Sequence, residues 1–124
     1  MESKLIFCVD DEEDSINALR TGLEARGFAI ATARSGPDAL NQLRTLLPDL
    51  IITDLKMEPM NGFEFYQMAR KDPRLNGVPF FFLTAVDDFL ARKYSALIGA
   101  DDYITKPLDL DRIDSAIRLK LNLH

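Results

Sequence analysis

The sequence contains one cysteine, one histidine and no apolar stretch long enough to cross a bilayer. Each shortage removes a class of function. Cys8 has no second thiol for an internal disulfide and no CxxC partner for a metal site. It falls within an apolar stretch, where a small buried side chain is the ordinary reading. The only histidine, His124, is the terminal residue, with no neighbours to tune it. No imidazole inside the chain can therefore donate a phosphoryl group. A membrane span needs about 20 consecutive apolar residues, and no run approaches that length. Met1-Glu2-Ser3-Lys4 lacks the charged-then-apolar order of a secretory signal. The expected compartment is the cytoplasm, with no membrane contact. Basic residues are also outnumbered: 15 Lys and Arg face 20 Asp and Glu, a net charge of −5. A nucleic-acid surface normally needs a basic patch, so none is expected.

What is present is alternation of strand-type and helix-type stretches. The 124 residues suit one domain spanning 1–124, and 47% hydrophobic residues supply a core. Leu5 to Val9 is a continuous apolar run, as expected of a parallel strand covered on both faces. A helix with Ile16, Leu19 and Leu23 at helical spacing follows and stops at Gly27. Phe28 to Ala33 is a weaker strand suited to an edge. Ser35 caps a helix with Pro37 in its first turn and an apolar stripe of Ala39, Leu40, Leu43 and Leu47. The third strand is Leu50 to Thr53. The third helix runs from Gly62 to Lys71, with Phe63, Tyr66 and Ala69 facing in. Gly77 to Leu83 is the fourth strand. A fourth helix over Asp87 to Ile98 carries a core stripe of Leu90, Tyr94, Leu97 and Ile98, with Phe89 beside it. Asp102 to Thr105 is a short fifth strand. Asp109 caps a last helix with Leu110, Ile113, Ile117 and Leu121 on one face.

Five β-then-α units predict a parallel sheet with right-handed crossovers and helices on both faces. In such sheets functional groups collect past the carboxyl ends of the strands. The first strand delivers Asp10 and Asp11 there, the third Asp54, the fourth Thr84 and the fifth Lys106. The second delivers only Ala33-Arg34. Three clustered carboxylates need a proton or a cation between them. Oxygen ligands alone select a hard cation, and Mg²⁺ suits carboxylates shared with a phosphate and water. An ion, an ammonium and a hydroxyl together cradle the three oxygens of a phosphoryl group in transfer. Asp54, alone at the middle strand, is the natural carboxylate nucleophile.

These residues carry a resemblance. Val9-Asp10-Asp11, Ile52-Thr53-Asp54-Leu55-Lys56-Met57, Leu83-Thr84-Ala85 and Gly99-Ala100-Asp101-Asp102-Tyr103-Ile104-Thr105-Lys106-Pro107 stand in order. The chain resembles, over essentially its whole length, the receiver domain of bacterial two-component response regulators, in particular single-domain regulators of the chemotaxis type. The resemblance implies a flavodoxin-like doubly wound (βα)5 sandwich with strand order 2-1-3-4-5. It implies Asp54 as phosphoacceptor. Asp11, Asp10, Asp54 and the backbone carbonyl of Lys56 would serve Mg²⁺. Thr84 would be the switch hydroxyl, Tyr103 the aromatic that turns inward with it, and Lys106 the ligand of a phosphoryl oxygen. A cis peptide is implied before Pro107. Lys56 and Val86 match the variable positions that tune the lifetime of the aspartyl phosphate, and Val86 has no polar group to orient water. In this chain Glu58 stands where the family often places proline, and Pro59 comes one residue later. The spacing from Asp54 to Gly62 is kept.

The implied donor is a histidine kinase or a histidine phosphotransfer protein, and the implied recipient a downstream effector or output domain. The surface of the fourth helix, fifth strand and last helix would carry the signal, or a weak homodimer. Arg112 and Ala116 stand where the transcription-factor subfamily places an acidic residue and an arginine, so that subfamily's dimer is not supported. The chain fits either a stand-alone regulator or a piece of a longer protein.

Other functions stay open on the residues alone. A haloacid-dehalogenase-type phosphatase needs a second Asp two residues past its nucleophile, where Lys56 and Glu12 stand here. A flavodoxin-like cofactor binder needs a Ser, Thr or Gly-rich loop after the first strand, where this chain is acidic. An inactive docking relative normally lacks one of the five site residues, and none is missing.

Overall fold

The computed structural model describes residues 3–123; Met1, Glu2 and His124 lie outside the described residues. The elements are β1 (Leu5–Val9), α1 (Glu13–Glu24), β2 (Ala29–Ala33), α2 (Gly36–Gln42), β3 (Leu50–Thr53), α3 (Gly62–Ala69), β4 (Phe80–Thr84), α4 (Phe89–Ile98), β5 (Asp102–Thr105) and α5 (Leu110–Lys120), with a short 3₁₀ turn at Pro73–Leu75. The five strands form one sheet in the order β2-β1-β3-β4-β5, and every pairing is parallel. The doubly wound flavodoxin-like arrangement is as the sequence implied.

Strand side chains alternate between faces, and each face has its own core. Phe7, Val9, Ile51, Phe80 and Phe82 pack with Ala39, Phe65, Tyr66 and Tyr103 on the side of α2 and α3. Ile6, Cys8, Leu50, Ile52, Phe81 and Leu83 pack with Leu19, Leu23, Ile113 and Ile117 from α1 and α5. Both faces of β1, β3 and β4 are covered, which is why those strands read as unbroken apolar runs.

Several expectations need correction. The stripe of α2 does not reach Leu47. The helix closes at Gln42, and Leu47 is 57% exposed. Phe65, not anticipated, is wholly buried on α3, whereas Phe63 is only partly buried and packs edge-on against Phe82. The fourth strand begins at Phe80, after Val78 and Pro79. The largest reversal is α4. Leu90, Tyr94 and Leu97 were expected in the core, yet they are 70%, 41% and 75% exposed. The helix meets the protein instead through the small residues Ala91 and Ser95 and through Ile98. Ser95 satisfies its buried hydroxyl by donating to the Arg92 carbonyl at 2.8 Å. Small residues allow close approach of backbone to sheet. The long apolar side chains are then left on the outer face.

Candidate functional site

Strand register builds the site. Val9 of β1 pairs with Thr53 of β3, so Asp10 and Asp54 emerge side by side one residue later. The Asp54 amide donates to the Val9 carbonyl at 3.0 Å, and the Asp10 amide to Ala33 at 3.1 Å. On the other flank Thr84 pairs with Thr105, and the Lys106 amide donates to the Thr84 carbonyl at 2.8 Å. Four chemically active residues thus reach one end of the sheet through backbone pairing alone.

The side chains then converge. The Lys106 ammonium donates to Asp10 Oδ2 at 2.8 Å, to Asp54 Oδ2 at 3.1 Å and to Glu12 Oε1 at 3.1 Å, with Ser15 Oγ at 3.4 Å. Asp54 Oδ1 accepts from the amides of Leu55 at 2.6 Å and Lys56 at 3.3 Å. Asp10 Oδ1 accepts from the Glu12 amide at 2.9 Å. Both aspartates are 5% exposed, so each anion is buried but fully hydrogen-bonded. Burial raises the Asp10 carboxyl above its usual range, against the Lys106 and backbone hydrogen bonds that lower it. Burial alone would lower the Lys106 pKa. The Asp10 hydrogen bond and the Asp54 charge outweigh it, and the ammonium is held above its ordinary value.

The loop after Asp54 is clamped by Gly62. Its amide donates to the Leu55 carbonyl at 2.8 Å. A Cβ at this position would lie 2.2 Å from the Asp54 carbonyl oxygen and 2.8 Å from Leu55 Cα. Both obstacles are backbone, so only glycine fits, which explains the preserved spacing from Asp54 to Gly62. Asn61 and Glu64 then form a reciprocal capping box that starts α3. The Lys106–Pro107 peptide is cis, and so is Glu58–Pro59, which the sequence reading left undefined.

Thr84 is fully buried, and its hydroxyl oxygen accepts the Val86 amide at 3.2 Å. Among the described residues nothing accepts the hydroxyl proton, which leaves it available for donation. Tyr103 is also buried, its phenol donating to the Val86 carbonyl. The ring is thus turned inward, on the Val86 backbone that Thr84 also meets. A groove of about 350 Å³ over the strand ends is lined by Asp11, Glu12, Asp54, Lys56, Thr84 and Val86.

Glu12 belongs to the site although it was not among the residues expected from the sequence. Its carboxylate joins Asp10 and Asp54 in a set whose oxygens lie within 4.8 Å of one another. Asp11 is exposed and outside that set, and its backbone carbonyl accepts from Arg34 at 2.7 Å. The signal was available: Glu12 sits at the N-cap of α1, three residues past the end of β1, but a carboxylate there is ordinarily explained by the helix dipole. The donor set is oxygen only and anionic, and it already surrounds one cation, the Lys106 ammonium. Those residues fit a hard divalent ion.

A doubly wound parallel sheet with this acidic, lysine-bearing edge defines a flavodoxin-like α/β domain with its site at the switch point. The sequence model of the response regulator receiver domain matches residues 6–118. The chain is 33% identical over 116 residues to the alkaline phosphatase synthesis transcriptional regulatory protein PhoP of Bacillus subtilis, covering 94% of this chain and 48% of that protein. It is 35% identical over 123 residues to the response regulator PleD of Caulobacter vibrioides, covering 96% of this chain and 27% of that protein. The solved signal receiver domain of a signal transduction histidine kinase from Syntrophus aciditrophicus superposes with a TM-score of 0.88 at 31% identity, covering 97% of this chain and 91% of that one. The chain spans less than half the length of those two curated relatives. It belongs to the response regulator receiver domain family, whose standard function in two-component systems is to be phosphorylated on an aspartate. It is a signalling-switch domain, and no helix among the described residues is long and apolar enough to cross a membrane.

Proposed function

We propose that Asp54 accepts a phosphoryl group from a histidine kinase or histidine phosphotransfer protein, and that residues 1–124 work as one cytoplasmic receiver unit. The observation that carries this reading is the buried Asp54 carboxylate. One of its oxygens is held by backbone amides and the other by Lys106 at 3.1 Å. The amides fix the carboxylate's orientation, and the Lys106-bound oxygen faces the ammonium that would receive the incoming phosphoryl oxygens. As that oxygen forms the new P–O bond, the donor's P–N bond breaks and its electron pair returns to the imidazole. Mg²⁺ bound here supplies positive charge that offsets the repulsion between the carboxylate and the phosphoryl oxygens. Asp10, Glu12 and Asp54 would hold it, with Asp11 and the Lys56 carbonyl carried over from the family pattern.

Lys106 exchanges part of its contact with Asp10 and Asp54 for a phosphoryl oxygen. The free Thr84 hydroxyl proton donates to another. Tyr103 shares the Val86 backbone with Thr84, so movement of that segment is felt at the ring. The signal then leaves through α4, β5 and α5 to an effector, an output domain or a weakly bound second copy. The exposed Phe89, Leu90 and Leu97 support an apolar contact there. The chain catalyses only its own phosphorylation and dephosphorylation. Val86 gives a hydrolytic water no polar partner, and Lys56 flanks the groove, so self-dephosphorylation is slow. An aspartyl-phosphate half-life of seconds in the isolated protein would refute that last point.

Incubation with Mg²⁺ and acetyl phosphate tests the main reading. Wild type gains one phosphoryl group by intact mass and binds beryllofluoride, whereas Asp54→Asn does neither. A wild type that gains no phosphate and ignores the mimic sinks the proposal.

A further inference from the structure

The inward Tyr103 ring is not held by burial alone. Its phenol is tied to the Val86 carbonyl, and its inner side meets Phe82, with ring centroids 6.4 Å apart. Its other contact is Arg92 of α4. The guanidinium carbon lies 4.7 Å from the ring centroid. The same guanidinium donates to the Tyr103 carbonyl at 3.4 Å and pairs with Asp87, in the segment before α4, at 3.5 Å. One side chain therefore touches β5, α4 and the segment that carries Thr84 and Val86 into the helix. Beyond the ring lies an open groove of about 750 Å³, lined by Arg26, Arg92, Tyr103, Pro107, Leu110 and Arg112. An outward Tyr103 has room there, and Arg92 stands on the wall of that room.

We infer that Arg92 is a positioning residue that holds Tyr103 inward, its guanidinium acting on the ring from α4. Two contacts favour the inward ring. The guanidinium carbon 4.7 Å from the ring centroid attracts the ring where it now lies. The exposed pair with Asp87 at 3.5 Å biases the guanidinium toward that position. A change that favours one of two conformations shifts their ratio by its differential contact. At the strength of an exposed cation–π pair, that shift is roughly two- to fivefold. The inference uses the proposed role of Tyr103 as reporter, but the orientation itself can be read without phosphorylation.

The experiment is ¹⁹F NMR on protein labelled with 3-fluorotyrosine, without Mg²⁺ or phosphodonor, with the Tyr103 resonance assigned by Tyr103→Phe. In Arg92→Ala the outward-to-inward ratio of Tyr103 rises by roughly two- to fivefold. Arg92→Lys, which keeps the charge but not the planar fork, shifts it less. Asp87→Asn, which removes the exposed pair, shifts it in the same direction as Arg92→Ala but by less. The Tyr66 and Tyr94 resonances report that the fold is kept. In a second arm the acetyl phosphate rate falls in Arg92→Ala, but not when Arg92→Ala is added to Tyr103→Ala. An unchanged Tyr103 ratio in Arg92→Ala overturns the inference, as does a rate loss that persists without Tyr103. Should wild type fail to gain phosphate at all, the phosphoacceptor reading falls while the first arm still decides the role of Arg92.

Discussion

Replacing Lys106 with Met keeps the length of the stem and removes the charge that three carboxylates share. The Lys106, Asp10 and Asp54 side chains are 10%, 8% and 6% exposed. This is therefore a buried cluster, and the small values typical of surface ion pairs do not apply. Removing one partner of a buried pair strands the other, at a cost of about 3 to 5 kcal/mol. The Asp54 oxygen held by backbone amides keeps those bonds, and Asp10 keeps the Glu12 amide. The loss should therefore sit near the lower end, about 3 kcal/mol. Proton uptake limits it further. Burial already raises the Asp10 carboxyl above its ordinary value, and without the ammonium it rises more. A carboxyl raised in the folded state binds more protons folded than unfolded, so stability falls as pH climbs above about 4 through the raised value. Urea denaturation in metal-free buffer should thus show the variant's deficit largest near about pH 7 and smaller near about pH 5. In wild type the Lys106 pKa is raised on folding. Its contribution is complete below the ordinary lysine value of about 10.4 and is lost as pH rises beyond it. A deficit under about 1 kcal/mol at neutral pH, the range of solvated pairs, would show that Lys106 is a bystander and refute the reasoning.

Gly62→Ala should destabilise by roughly 1 to 3 kcal/mol, because the new methyl meets the Asp54 and Leu55 backbone and no flexible side chain can yield; wild-type stability in the same urea titration would mean that the loop after Asp54 relaxes freely. Asn61→Ala removes one half of the capping box at 2.9 Å and should lose about 1 kcal/mol, with faster amide exchange confined to the first turn of α3. Exchange that accelerates throughout the protein instead would contradict a local cap. Burial pushes the Cys8 thiol up to about 12. A thiol reagent at mildly alkaline pH should leave native protein unmodified and label Cys8 fully in denaturant; rapid native labelling would place the thiol at the surface.

Much of the architecture was legible because a doubly covered parallel strand has no polar face to spare. Ile6 to Val9, Leu50 to Ile52 and Phe80 to Leu83 could hardly be anything else. Two helix starts were legible from Ser35 and Asp109, whose side-chain oxygens satisfy free amides. The identity of the edge residues was legible for a related reason: Asp10, Asp54 and Lys106 each directly follow a strand, and Thr84 ends one. The stripe on α4 misled because helical periodicity reveals an apolar face but not what that face meets. Ala91 and Ser95 turned out to be the contact, and small residues give a weak hydrophobic signal. Leu47 misled likewise, since the helix ended before reaching it.

The order of residues along the chain by itself determined the alternating units, the acidic and basic groups at the strand ends, and the family these groups match. Those are consequences of local pattern and spacing. Tertiary structure alone decided how the groups share charge. Lys106 lies 96 residues from Asp10 and 52 from Asp54 in sequence, and only strand register brings the ammonium between them. The same holds for Glu12, drawn into the carboxylate set with Asp54 while Asp11 stays outside; Arg92 meets Tyr103 only 11 residues on, but from the next element. Which neighbour a charged or aromatic side chain meets is set by packing, and for Lys106 no window of local sequence contains both partners.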